Sequence, residues 1–202
     1  VATVRAIEAR FAYNPEKAAE MIDAEMTAMG ATGSSAGGWR YEGEAVEVIF
    51  LIRIEDERRQ IGDYIANQLE TVGFTVVRDY KSSSEASPLW IFGNMHDGLW
   101  HLYTGGWGAS GLSRDNGWVF EFFYSPKSGY GFSDLWQNYP VSDECDVVYT
   151  ALSNNDFTSM EERDVLFAQG LECAADSSVR FHLTDQLSFV PYRTNIATAY
   201  DL

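Results

Sequence analysis

Basic residues are scarce in this chain of 202 residues. Lys and Arg number 14 against 30 Asp and Glu, a formal net charge of −16. Nucleic-acid binding needs clustered cations to neutralise phosphates, and docking on anionic lipid needs the same, so both partner classes are excluded. Long apolar runs are lacking too. The best candidate, Ala45 to Ile54, is broken by Glu47 and Arg53 and falls short of the roughly 20 residues that span a bilayer. No direct membrane insertion of this segment is expected. Cysteine is limited to Cys145 and Cys173. A disulfide between them would fit an oxidising exterior, and two buried thiols fit equally, so the sequence leaves their state open. The N-terminus carries neither an initiator Met nor a signal-peptide pattern, and the chain is therefore expected to be part of a longer one.

Catalytic signatures are also missing. Gly108-Ala109-Ser110-Gly111 is one residue short of a nucleophile elbow. His96, His101 and His182 have no metal-ligand spacing, so no metal is expected. The helix expected after the Val46 strand opens with Glu55-Asp56-Glu57, which would repel a phosphate, and no dinucleotide or Walker pattern precedes it. The many carboxylates show no spacing that selects an acid pair. The expectation is a protein without catalytic residues or cofactor; the alternatives are a hydrolase using an acid pair in the 108–140 loop, or a sensory receptor that does not transport.

What is present is an ordinary globular balance, 46% hydrophobic and 22% charged, which rules out disorder for most of the length. Aromatics reach 14%, more than a core requires, and such side chains often grip small ligands. Asn14-Pro15 opens a helix whose stripe is Ala18, Met21, Ile22, Met26 and Met29, ended by Gly30. Ala31 to Gly38 reads as a loop. Ala45 to Ile52 reads as a strand covered on both faces, followed by a helix with the stripe Ile61, Ile65, Leu69 and Val72, then a strand from Phe74 to Val77. This is a βαβ unit with parallel strands. Ser84 to Asn94 reads as a short helix, weakened by Pro88 unless Pro88 lies in the first turn. Trp100 to Thr104 reads as a strand and 108–140 as a long functional loop. Two helices follow, one capped by Ser142 and carrying Val147, Val148, Ala151 and Leu152. The other starts at a capping box, Thr158 to Glu161, and carries Val165, Ala168 and Leu171. Val179 to Leu183 reads as a strand and Phe189 to Arg193 as an extended tail.

Four stretches resemble the family 5 extracellular solute-binding proteins, the oligopeptide and dipeptide receptors of ABC importers. They are Tyr13-Asn14-Pro15-Glu16-Lys17-Ala18, the Ile61 to Phe74 helix with its closing Gly73, Tyr103-Thr104-Gly105-Gly106-Trp107-Gly108, and Asp156 to Cys173 with Glu161-Glu162-Arg163. The resemblance covers about residues 11 to 193. It implies an α/β fold: a mixed, partly parallel sheet flanked by helices, one lobe of a type II periplasmic-binding-protein-like fold. Residues 1–202 would form a single lobe, the C-terminal one of a two-lobed protein, with 1–12 and 194–202 as boundary segments. It further implies a small solute as ligand, ABC permease subunits as partners, and a periplasmic or extracellular lipoprotein held to the membrane through its N-terminus. The ligand-binding residues would be Trp107, Ser110, Asp115 and Trp118, with Tyr103 and Thr104 at the strand end. Peptide-binding members place an Asp three residues after the Trp, to pair with the peptide amino group; here Ser110 stands there, and Asp115 is the nearest acid. That departure leaves the solute open between peptides and other small molecules.

Overall fold

The computed structural model describes residues 2–108, 117–127, 141–184, 191 and 193–196. Along the chain the elements are α1 (Ala2–Arg10), α2 (Pro15–Ala28), β1 (Thr32–Ser34), β2 (Gly38–Tyr41), β3 (Glu44–Ala45), β4 (Glu47–Arg53), α3 (Arg58–Thr71), β5 (Thr75–Lys81), α4 (Ser83–Trp90), β6 (Leu102–Tyr103), α5 (Trp118–Tyr124), α6 (Asp143–Asn154) and α7 (Met160–Ser177). They fall into two compact units. The described part of the first is 12–106; that of the second is 2–11, 107–108, 117–127, 141–184, 191 and 193–196.

The first unit is built on β4. Its Phe50, Leu51 and Ile52 are buried, and both strand edges are occupied: β5 pairs with it in parallel along its full length, and β6 pairs in parallel at Phe50↔Leu102 and Leu51↔Tyr103. The βαβ reading is correct. Helix α3 crosses between the strands and packs Ile65, Ala66 and Leu69 against Phe50, Ile52 and Val76. Gly62 is the point of closest approach, because a Cβ there would sit 2.7 Å from Ile52 Cγ2. Helix α2 starts as expected, with the Asn14 side chain accepting from Lys17 N at 3.0 Å, but only Met26 of its stripe is buried; Met21 and Met29 face solvent.

Ala31 to Gly38 is not a loop. β1 and β2 form an antiparallel hairpin, extended by β3, whose purpose is to seat Trp39. Trp39 is 2% exposed, packs with Met26 and Ala31, and donates its indole N–H to the Val72 carbonyl at 3.1 Å. Small residues hid the hairpin from a hydrophobic pattern, since Gly33 stands opposite Trp39 in the register. Pro88 sits well inside α4 rather than in its first turn. The helix forms nevertheless, held at its start by Glu85, whose carboxylate accepts from Ser82 N at 2.9 Å.

The second unit is helical. Phe120 of α5 stacks on Tyr149 of α6 at 5.9 Å and meets Phe167 of α7 edge-on at 5.0 Å. Gly170 leaves room for the Phe120 ring, and Cys145 and Cys173 are joined in a disulfide that ties α6 to α7. Arg10 at the end of α1 bridges to Glu172 and Asp176 of α7. Helix α5 corrects the reading of 108–140 as uninterrupted loop; its pattern is aromatic rather than aliphatic. Val147 and Val165, expected on buried stripes, are exposed, while Tyr149 and Leu152 fill the core. The α7 cap falls one residue later than expected: Ser159 Oγ accepts from Glu162 N at 3.1 Å, and Glu162 accepts from Thr158 N at 2.7 Å. Val179 to Leu183 forms no strand among the described residues and exposes Phe181 and Leu183. Most of the expected extended tail at Phe189 to Arg193 lies outside the described residues.

Two stability predictions follow from this packing. Gly73 has φ +91°, and a Cβ there would meet Ser34 O at 2.7 Å and Trp39 Cδ1 at 2.9 Å. Gly73→Ala therefore combines left-handed backbone strain with overpacking and should cost about 1–3 kcal/mol in urea unfolding; an unchanged midpoint would contradict the packing. The disulfide closes a separation of 28 residues, which in the chain-entropy description stabilises by roughly 3.5 kcal/mol. Reduction by dithiothreitol should lower the unfolding midpoint accordingly, and Cys145→Ser should reproduce the loss without reductant.

Candidate functional site

Parallel strands send their carboxyl ends to one edge of a sheet, where open α/β sheets commonly bind ligands. At that edge, β4 delivers Arg53 and β6 delivers Tyr103 and Thr104. Thr104 is buried: its N–H donates to Leu51 O at 3.2 Å, and its hydroxyl accepts from Arg53 N at 2.9 Å. It continues the ladder rather than offering its hydroxyl outward. Tyr103 stacks on Trp90 at 4.7 Å, lies edge-on to Trp100 at 6.5 Å, and accepts from Arg53 Nη1 at 3.2 Å.

The Arg53 guanidinium is already committed. Its Nε donates to Glu55 Oε2 at 2.7 Å, and Glu55 also accepts from Ser83 N at the start of α4. The Arg53 bond, helped by that N–H, holds the Glu55 carboxyl down at about 2, below its ordinary 4.5. Beside it, Arg58 grips Asp56 at 2.6 Å and holds that carboxyl at about 2. Gly106 passes close to Arg58, as a Cβ there would lie 3.2 Å from Nη1. Sequence reading named Tyr103 and Thr104 but missed the Arg53 that joins them to Glu55, because a single Arg inside an apolar strand carries no motif.

Trp107 and Trp118 belong to the second unit, and the structure does bring them together. Their rings are 6.1 Å apart and meet edge to face. Both rest on α5: Trp107 contacts Phe122 at 4.8 Å and Phe123 at 5.1 Å, and Trp118 contacts Phe122 at 5.1 Å. Phe122 and Phe123 are buried, whereas Trp107 stays 54% exposed. An indole backed by buried rings, yet more than half open, is a rigid apolar platform. Beneath it, Arg180 lies over the Phe123 ring at 4.7 Å and donates Nε–H to the Phe123 carbonyl at 3.1 Å. Burial pushes the Arg180 pKa down and the Tyr124 phenol up. Tyr124 Oη is 3.1 Å from His182 Nε2. The signal for the platform was in the sequence as Trp118 and Phe122, four apart on one helix face; nothing there singled out Arg180. Ser110 and Asp115 lie outside the described residues. Among the described residues, no cluster of three His, Cys, Asp or Glu could hold a metal ion.

No protein-family model matches the sequence, and no curated protein matches it. A similar fold is found in the crystal structure of NikA from Brucella suis in complex with Fe(III)-EDTA, at a TM-score of 0.54 and 18% identity, covering 84% of this chain and 31% of that one. What the two share is the fold, a parallel sheet flanked by helices within a mixed α/β chain. The present chain spans less than a third of the length of that protein. No helix among the described residues is long and apolar enough to cross a membrane.

The two depressed carboxyls set a pH dependence. Glu55 and Asp56 titrate lower when folded than when unfolded, so their contribution is fully present above the ordinary carboxyl range and is lost as pH falls from about 4.5 toward 2. Thermal midpoints followed through that window should drop, and Glu55→Gln should flatten part of the drop. An identical acid profile in the variant would show that Arg53 does not hold Glu55 in solution.

Proposed function

We propose that residues 1–202 form one lobe of a two-lobed extracellular or periplasmic solute-binding protein of the family 5 type, which passes a small solute to ABC permease subunits. The observation that carries this reading is the Trp107 platform, half-open on a buried aromatic bed, in a chain whose fold aligns over 84% of its length with a ligand-bound complex. Trp107 would cover the solute, with Trp118 buttressing it; Ser110 and Asp115 would supply polar contacts from the 109–116 segment, and Tyr103 and Thr104 would fix the strand end. The role calls for binding rather than turnover, with no cofactor, and for a parent protein held at the membrane through its N-terminus.

The physical mechanism is capture by closure. A solute touched by both lobes stabilises the closed state only by its differential affinity for that state. One lobe alone supplies part of the contacts, so this chain by itself should bind the solute more weakly than micromolar. The NikA complex holds a metal chelate, Fe(III)-EDTA. With Ser110 in the position that peptide binders give to Asp, a non-peptide solute of comparable size is the better match here.

The test is mass spectrometry of small molecules released on denaturing the full-length protein, purified without refolding. A single species at near-stoichiometric yield is expected, and Trp107→Ala should cut its retention at least ~10-fold, the equivalent of about 1.4 kcal/mol. Turnover of a substrate by this chain, or sub-micromolar solute binding by it in isolation, would sink the lobe reading.

A further inference from the structure

Six Lys and Arg side chains are half-buried among the described residues: Arg53, Arg58, Arg78, Lys81, Arg163 and Arg180. The first five each have a carboxylate oxygen within reach, at 2.6 to 3.8 Å. Arg180 has none among the described residues. Its Nε is taken by the Phe123 carbonyl and one face of its guanidinium lies on the Phe123 ring, so position and orientation are fixed. Its two Nη groups donate to no described residue. A guanidinium remains charged at any pH a protein meets, so partial burial without a counter-charge is costly, and such arrangements persist where they serve binding. In a chain with a formal net charge of −16, a cation without an acid among the described residues stands out further.

The surroundings indicate what would complete it. Phe123 is shared: Arg180 lies against it on one side, and Trp107 meets the same ring edge-on at 5.1 Å. Cation and open indole are thus one ring apart within a single unit. Near them, the Tyr124 hydroxyl and the His182 ring form a hydrogen-bonded pair, and His182 itself is exposed. Two Nη groups held in a fixed plane match two oxygens of one anionic group.

We propose that Arg180 recognises an oxyanionic group, carboxylate or phosphate, on the solute whose apolar part lies against Trp107. This rests on the solute-binding reading above and narrows it to acidic solutes. Uncomplexed, the site holds a cation with no acid beside it among the described residues; bound, it holds a paired one, so the anion favours the liganded state by electrostatics that a neutral analogue cannot supply.

Citrate and inorganic phosphate serve as probes on the whole chain, each matched in ionic strength with sodium chloride and followed by thermal unfolding and tryptophan fluorescence. A probe near saturation should raise the midpoint by about 3 °C over the chloride control and change the fluorescence. Arg180→Met should abolish both effects, and Arg180→Lys should retain only part, since it keeps charge but loses the planar fork. A response to citrate alone assigns a carboxylate, and to phosphate alone a phosphate. Equal responses of parent and Arg180→Met to the probes would overturn the proposal. If the full-length protein releases a neutral solute, the Arg180 inference fails while the solute-binding reading stands. If it releases and binds nothing, both fail.

Discussion

Everything in the first unit follows from one constraint: β4 is buried and must satisfy its backbone on both edges. Phe50, Leu51 and Ile52 are shut off from water, where an unpaired peptide group would cost about 1–3 kcal/mol. β5 and β6 meet that demand, both in parallel. Parallel pairing on both sides brings Arg53, Tyr103 and Thr104 to a common edge, and pairing continues through side chains where the ladder ends, with the Thr104 hydroxyl taking the Arg53 N–H. The clustering of these residues at one edge is a by-product of hydrogen-bond accounting.

The second unit solves a different problem, how to keep aromatic surface open without collapse. A lone exposed indole would fold back onto the nearest apolar surface. Trp107 is instead held by Phe122 and Phe123 beneath it and by Trp118 at its side, and α5 is itself seated on the disulfide-linked pair α6 and α7 through Phe120 and Tyr124. A platform packed in this way would lose little entropy on meeting the proposed solute. Arg180 adds charge to the same ring system.

How far the sequence revealed this depended on the kind of signal. The βαβ unit was readable because Ile61, Ile65 and Leu69 recur at helical spacing between apolar strands, and Asn14-Pro15 and Ser142 announce their helices through the chemistry of their caps. The β1–β2 hairpin was not, since its register is fixed by one Trp against glycine and serine, residues that carry no hydrophobic period. Helix α5 was missed because Trp118 to Tyr124 is apolar at nearly every position and therefore shows no stripe. At the candidate site, Trp107 and Trp118 were named from the sequence, and their rings meet. Arg53 and Arg180 were not, because what distinguishes them is a three-dimensional matter: Arg53 has a carboxylate partner, and Arg180 has none among the described residues.

In the proposed role, the open face of Trp107 contacts solute. Hydroxyl-radical footprinting of the full-length protein, with and without the small molecule it releases, tests that claim at a single side chain. The account predicts that Trp107 oxidises readily when the protein is empty and is protected when it is loaded, while exposed aromatics elsewhere, such as Tyr13 and Tyr64, oxidise equally in both states. Equal oxidation of Trp107 in both states would contradict it.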